Sequence, residues 1–287
     1  MVVEKAYAKI NIFLDVISKR QDGFHDILSI MHAVSLFDTV RVRAERSEKS
    51  VITLRTNGAA LPSDNRNIAY RAAEVFLNKS KICSEIYIEI DKNIPIGAGL
   101  AGGSSDAAAV LRALNKIYPV FDFEALLEIA AELGSDVPFC LLGGTAVCCG
   151  RGEQMTSVVS PELNLVIAIG NSSVETAKAY AALDKLYSDF SDRKGKSSFN
   201  ELISVTQKGG LSDFLYNIFE DAAAAEVLEL KNRFIELSAT ASLMSGSGPS
   251  VFGIFEDEKT AILAYEALLS DGYRAYLAKS VLPSGTL

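Results

Sequence analysis

The order of elements predicts an α+β protein of two lobes. Three observations carry this: a long alternating stretch at the N-terminus, a glycine-rich loop between a strand and a helix, and a second half patterned as strand, helices, two strands, helix and strand. A doubly wound sheet would show regular strand–helix alternation from the start, and this chain does not.

Residues 3–18 set Ala6, Ala8, Ile10 and Ile12 against Tyr7, Lys9, Asn11 and Phe13, which predicts a long strand with its polar groups on one face. Strand-like segments recur near 39–44 and 51–56, followed by a helix near 66–79. Ile86, Ile88 and Ile90 then alternate with Tyr87 and Glu89, a half-buried strand over 85–91. Beyond the glycine loop, helices are expected at 104–117 and 123–133, and a short strand around Val147 leads into the turn Gly150-Arg151-Gly152. A boundary there divides the chain into lobes of 1–155 and 156–287. The second lobe reads as a strand at 163–169, helices near 174–187 and 223–238, strands near 240–245 and 250–256, a helix at 258–270 and a strand at 273–280. That order suits a small ferredoxin-like layer. Ser188 to Lys196 is polar and charged, and is expected to be a surface loop.

Composition narrows the function classes. The 287 residues are 49% hydrophobic and 22% charged, as in a soluble globular protein, and suffice for one large or two ordinary domains. A formal net charge of −8 argues against a nucleic-acid partner, whose phosphates require a basic face. Met1-Val2-Val3-Glu4-Lys5 lacks the layout of a signal peptide, and no apolar run reaches membrane-spanning length. The four cysteines include the adjacent Cys148 and Cys149, a spacing unsuited to mutual pairing or to common zinc sites; they read as small buried hydrophobes in a reducing compartment, and a cytoplasmic location is expected. Monomer and homodimer both remain open.

The chemistry concentrates in Pro95-Ile96-Gly97-Ala98-Gly99-Leu100-Ala101-Gly102-Gly103-Ser104-Ser105. Four glycines free the backbone to wrap an anion. A helix opening directly after them adds free amide N–H groups and the positive end of its dipole, a cradle for phosphates. Ser104 is a competent N-cap for that helix. A Walker A loop would place Lys and then Ser or Thr after its last glycine; here two serines follow, so the missing positive charge must come from elsewhere.

Three other stretches are ambiguous alone. Lys9 and Asn11 share one strand face and can point a cation and an amide into one cavity, or can simply be solvated. Asp136, ahead of Val137-Pro138, is either a helix N-cap or a reactive carboxylate. Gly246 and Ser247 lie in Met244-Ser245-Gly246-Ser247-Gly248-Pro249-Ser250, a small-residue turn between strand-like segments.

Taken together and in this order, these four stretches resemble the GHMP kinase family of small-molecule kinases. The segment Arg20-Gln21-Asp22-Gly23-Phe24-His25-Asp26-Ile27-Leu28-Ser29 and Gly134-Ser135-Asp136-Val137-Pro138-Phe139 are similar to signatures of the branch acting on 4-diphosphocytidyl-2-C-methyl-D-erythritol (CDP-methylerythritol) in non-mevalonate isoprenoid synthesis. The resemblance implies a ribosomal-protein-S5-like N-terminal lobe and a ferredoxin-like C-terminal lobe. It also implies ATP and Mg²⁺, with the glycine loop on the phosphates and both serines binding phosphate oxygens, Ser104 helping to arrange the metal. Asp136 would be the base that takes the proton from the acceptor hydroxyl, and Lys9 would keep that carboxylate ionised and supply the missing charge. Asn11, Gly246 and Ser247 would border the acceptor. At the cytidine end, Phe24 and Tyr180 would sandwich the base while His25 reads its edge; Phe24 stands where the branch has tyrosine, keeping the ring face, and Ser29 replaces a threonine. A homoserine-type GHMP kinase is the alternative within the family, and a non-catalytic nucleotide-binding relative the alternative outside enzymes. RNA binding through the N-terminal lobe is disfavoured by the acidic balance.

Overall fold

The computed structural model describes residues 1–57, 61–170, 175–195, 197–208 and 214–283. Its first sheet is built on two long antiparallel strands, β1 (Val2–Lys19) and β2 (His25–Arg46), joined by a tight turn in which Arg20 N donates to Phe24 O at 2.8 Å. Gly23 turns the chain there at φ 85°. β3 (Val51–Thr56) and β4 (Ser84–Asp91) extend the sheet on one side in the order β3-β4-β2-β1. β5 (Thr145–Gly150) pairs with the first half of β2, and β6 (Gln154–Val158) pairs with β5.

The strand predicted at 3–18 is present, but its alternation fails from Ala8 to Val16, where every residue is buried. Register shifts after Tyr7 and after Asn11 interrupt the pleat, and β1 contributes to three separate apolar clusters along its length. β2 begins fourteen residues before the expected 39–44, because most of its first part is covered on both faces and carries no period-2 signal. Helices α1 (Ile68–Ser80), α2 (Gly102–Ile117) and α3 (Phe123–Leu133) cover one face of the sheet, packing around Phe76, Ile86, Ile88, Leu111 and Leu114. α2 is the central helix. The small side chains of Ala107, Ala108 and Ala109 let it approach closely, and all three are fully buried.

α2 starts two residues earlier than expected. Its N-cap is Ala101, held in the left-handed region at φ 56° without a side-chain cap bond, so Ser104 lies inside the first turn and is not the cap. The short α4 (Val137–Leu142), absent from the sequence reading apart from its cap, follows Asp136.

The second sheet orders β11 (Arg274–Lys279), β7 (Asn164–Ile169), β10 (Ser250–Phe255) and β9 (Ala241–Met244), all antiparallel, with α7 (Ala225–Glu236) and α8 (Glu258–Ser270) packed on it. This is the ferredoxin-like layer expected from the order of elements. Between β7 and α7 lie α5 (Thr176–Leu186), α6 (Phe199–Lys208), which was not foreseen, and β8 (Tyr216–Asn217). Val174, the expected start of α5, lies outside the described residues.

The expected lobe boundary at residue 155 falls within β6, and β8 returns to the first sheet beside β1. The segment from Ser188 is a surface loop, as expected, with Ser188, Asp189, Ser191, Asp192 and Lys194 exposed, but it is pinned inward: Phe190 is buried and Arg193 pairs with the buried Asp15, while Lys196 lies outside the described residues. No helix among the described residues is long and apolar enough to cross a membrane.

Candidate active site

A cavity of about 890 Å³ lies between the two sheets. Pro95 through Ser104 line it without a gap, together with Lys9, Asn11, Phe24, His25, Asp136, Tyr180, Gly246 and Ser247. Ser105 is the exception among the residues expected there. Its side chain is buried and its hydroxyl donates to the Tyr7 carbonyl, so it anchors the loop to β1 and does not face the cavity.

The glycine loop keeps its shape through left-handed residues and bonds to both lobes. Gly97 and Gly99 have φ of 68° and 74°, and Ala101 adopts a similar conformation at the cost expected of an alanine there. Gly102, by contrast, is not left-handed; it is needed for space, since a Cβ would come within 2.9 Å of Ile94 Cγ2. Lys9 N donates to Leu100 O at 3.1 Å. From the second lobe, Ser245 Oγ donates to Gly99 O at 3.1 Å and Ser250 Oγ to Ala98 O at 2.5 Å. A side chain on Gly99 would strike the Ser245 carbonyl, so the Gly246-Ser247 turn closes directly onto the cradle. Asn217 steadies that turn, donating to Met244 O and Gly246 O at 2.8 Å each.

The cation missing from the loop arrives from β1. Lys9, almost wholly buried, donates from Nζ to Asn11 Oδ1 at 2.7 Å and lies 3.7 Å from Asp136 Oδ2. Asn11 in turn donates to Ser29 Oγ at 2.8 Å, and that hydroxyl donates to Phe13 O at 2.7 Å. The chain of bonds aims the lysine, and it gives Ser29 a role the sequence did not reveal. Asp136 occupies the N-cap position of α4 but makes no cap bond, and its side chain is one-third exposed to the cavity. The capping reading is therefore not realised.

A second charged cluster stands beside the loop. Lys92 Nζ bridges Asp38, which is fully buried, and Asp106, at 2.6 Å from the latter's Oδ2. Burial pushes the Asp106 carboxyl up to about 7, against the pull of Lys92 and with the charge of Asp38 adding to it. Lys92 and Asp106, the latter closing the glycine-loop motif, border the cavity.

Also lining the cavity, His25 places its Nε2 at 2.7 Å from Asp184 Oδ1, and Lys19 bonds the other carboxylate oxygen at 2.6 Å. Burial works to raise Asp184, but the bonds from Lys19 and His25 outweigh it and hold the carboxyl below its usual value. An ionised carboxylate only accepts, so the imidazole donates from Nε2. Tyr180 stacks on His25 with centroids 4.6 Å apart and planes at 22°, and meets Phe219 edge-on at 4.9 Å. Phe24 is 52% exposed, with the Arg151 guanidinium 5.0 Å from its ring centre. One face of Tyr180 is thus taken by His25, and one edge of His25 by Asp184. Asp184 and Arg151 went unnoticed in sequence because each acquires its partner only across the fold.

Residues 67–144 match the model of the GHMP kinases N-terminal domain, and residues 218–275 that of the GHMP kinases C-terminal domain. A 4-diphosphocytidyl-2-C-methyl-D-erythritol kinase of Caldicellulosiruptor bescii is 40% identical over 92% of this chain and 93% of its own. The crystal structure of a 4-(cytidine 5'-diphospho)-2C-methyl-D-erythritol kinase, 32% identical, superposes with a TM-score of 0.81 over 97% of this chain and 98% of its own. A homoserine kinase from Cytophaga hutchinsonii has the same fold, with a TM-score of 0.69 over 96% of this chain and 95% of its own, at 19% identity. By its two GHMP domains and by identity along nearly its whole length, the chain belongs to the 4-diphosphocytidyl-2-C-methyl-D-erythritol kinase family of GHMP kinases.

Proposed function

We propose that this protein transfers the γ-phosphoryl group of ATP to the 2-hydroxyl of CDP-methylerythritol. The observation that carries the reading is that Lys9 and Asp136, 3.7 Å apart, line one cavity together with the glycine loop and with Phe24, His25 and Tyr180. The acceptor oxygen attacks the γ-phosphorus as its proton passes to Asp136, and the bond to the bridging oxygen of ADP breaks. At 3.7 Å, Lys9 is too far from Asp136 for a hydrogen bond but close enough to the reacting groups to offset charge on the transferred group. Loop amides from Gly97 to Ser104 and the α2 dipole hold the phosphates in line.

The donors present fit Mg²⁺ carried by ATP. No group of three or more His, Cys, Asp or Glu among the described residues forms a cage, yet the Ser104 hydroxyl and the Asp136 carboxylate face the same space and are hard oxygen donors of the kind Mg²⁺ takes beside phosphates. The ion would neutralise phosphate charge. His25 and Phe24 support recognition of the cytidine end, Phe24 by its exposed ring and His25 by an imidazole held by Asp184. An assay of phosphate transfer comparing CDP-methylerythritol, homoserine and mevalonate tests the proposal; turnover of CDP-methylerythritol above the others is expected, and preference for either small alcohol would overturn it.

A further inference from the structure

Behind the base-binding end, the segment Tyr187 to Gly195 is tied to β1 by an ion pair. Arg193 Nε donates to Asp15 Oδ2 at 2.8 Å, and Asp15 is fully buried. The same guanidinium donates through Nη1 to Phe190 O at 3.1 Å. Phe190 is buried with φ 62°, a conformation costly for an aromatic residue and kept only where surroundings impose it. Its ring stacks on Tyr187 at 5.6 Å and meets His25 edge-on at 5.9 Å and 79°. The imidazole is consequently held on three sides, by Asp184, Tyr180 and Phe190.

The anchor is built to close tolerances. Gly195 leaves no space for a side chain, since a Cβ would lie 2.8 Å from Asp15 Oδ2 and would strike the Tyr216 ring. Asp15 Oδ1 and the Tyr216 hydroxyl have no partner among the described residues. Burial pushes the Asp15 carboxyl up to about 6 despite Arg193. The other titratable groups nearby are Tyr187 and Asp221, joined at 2.6 Å, and Lys194, 2.9 Å from Asp221.

We infer that Phe190 and Arg193 are positioning residues for the nucleotide end of the acceptor: the Asp15–Arg193 pair seats the Phe190 ring against His25 and so sets the imidazole's orientation. The inference rests on the acceptor assignment above. Neither residue lines the cavity, so an effect on the acceptor must travel through His25.

Initial-rate kinetics with each substrate varied test it, using Phe190→Leu, Arg193→Gln and Arg193→Lys, with thermal unfolding to establish that each variant is folded. Phe190→Leu and Arg193→Gln should raise the acceptor KM about three- to tenfold, the scale of one lost ring contact. The ATP KM and kcat should stay within about twofold. Arg193→Lys, which keeps the charge, should recover most of the loss. If Arg193→Gln does not fold, Phe190→Leu carries the same reading with the ion pair intact. An unmoved acceptor KM in Phe190→Leu, or an equal rise in both KM values, overturns the inference. Failure of the wild-type protein to turn over CDP-methylerythritol would instead overturn the acceptor assignment, and this inference with it.

Discussion

Lys9 Nζ stands 3.7 Å from Asp136 Oδ2, with the lysine aimed by Asn11 and the carboxylate free of the helix end it precedes. Replacing Asp136 by Asn keeps the shape and removes the proton acceptor. Turnover should fall about 100-fold or more, the usual contribution of a general base, while ATP affinity changes little. Retained turnover in stopped assays would return Asp136 to a structural role.

Phe24 and Tyr180 should both serve the acceptor, by different routes. Phe24 presents an open ring, so Phe24→Ala should weaken the CDP-linked acceptor by about 10- to 100-fold, as for a lost base–aromatic stack. Phe24→Tyr should be neutral. Tyr180→Ala removes the ring under His25 and should also raise the acceptor KM, with ATP binding spared. Calorimetry with CDP checks both, and unaltered affinity in both alanine variants would exclude an aromatic cytidine site here.

The loop offers a paired test. Gly99→Ala forces an alanine to φ 74° and drives its Cβ into the Ser245 carbonyl, so ATP affinity should drop sharply while the first lobe stays folded. Ala101→Gly, at φ 56°, relieves a left-handed alanine worth about 1–2 kcal/mol, offset by about 0.5–1 kcal/mol of glycine entropy, and should be mildly stabilising. ATP titration with chemical denaturation distinguishes the two, and equal effects at both positions would contradict the loop geometry.

His32 supplies a pH signature. It is fully buried between Thr145 Oγ1 at 2.8 Å and Ser280 Oγ at 3.0 Å, and burial lowers its pKa from 6.5 to about 4. The unfolded chain therefore binds the extra proton first as pH falls. Stability from this group is complete above about pH 6.5 and is lost down to about pH 4, a change of up to roughly 3 kcal/mol. Asp15, raised to about 6, works with the opposite sign over part of that window, so the comparison must be with His32→Gln, in which the Asp15 contribution cancels. The stability difference between wild type and variant should shrink from pH 7 to pH 4; a constant difference would mean that His32 does not titrate in this range.

The local problems were legible from residues alone. Glycines bounded by an alternating strand and an alanine-rich helix predict a phosphate cradle because backbone freedom, exposed amides and the helix dipole are all local properties. The βαββαβ order of the second half likewise specified its layer, since short apolar strand-like runs such as Asn164–Ile169 and helix-patterned segments can be told apart within their own spans. Motif resemblance located Lys9, Asp136, Phe24 and His25, and all four border one cavity.

What local sequence could not reveal depends on contacts between distant residues. The first half of β2 is mostly covered from both sides, and burial on both sides erases the period-2 signal. Ser105 looks the same as Ser104 in sequence, but helical rotation turns it under β1 to bond the Tyr7 carbonyl. Asp184 and Arg193 read as surface charges until folding brings Asp184 to His25, 159 residues away in the chain, and Arg193 to Asp15, 178 residues away. Composition and spacing determined the fold class and the chemistry of the cradle. Tertiary packing alone decided which hydroxyl faces the cavity, which face of Tyr180 is covered by His25 and which buried carboxylates find a cation, because those outcomes depend on desolvation and side-chain direction across the whole fold.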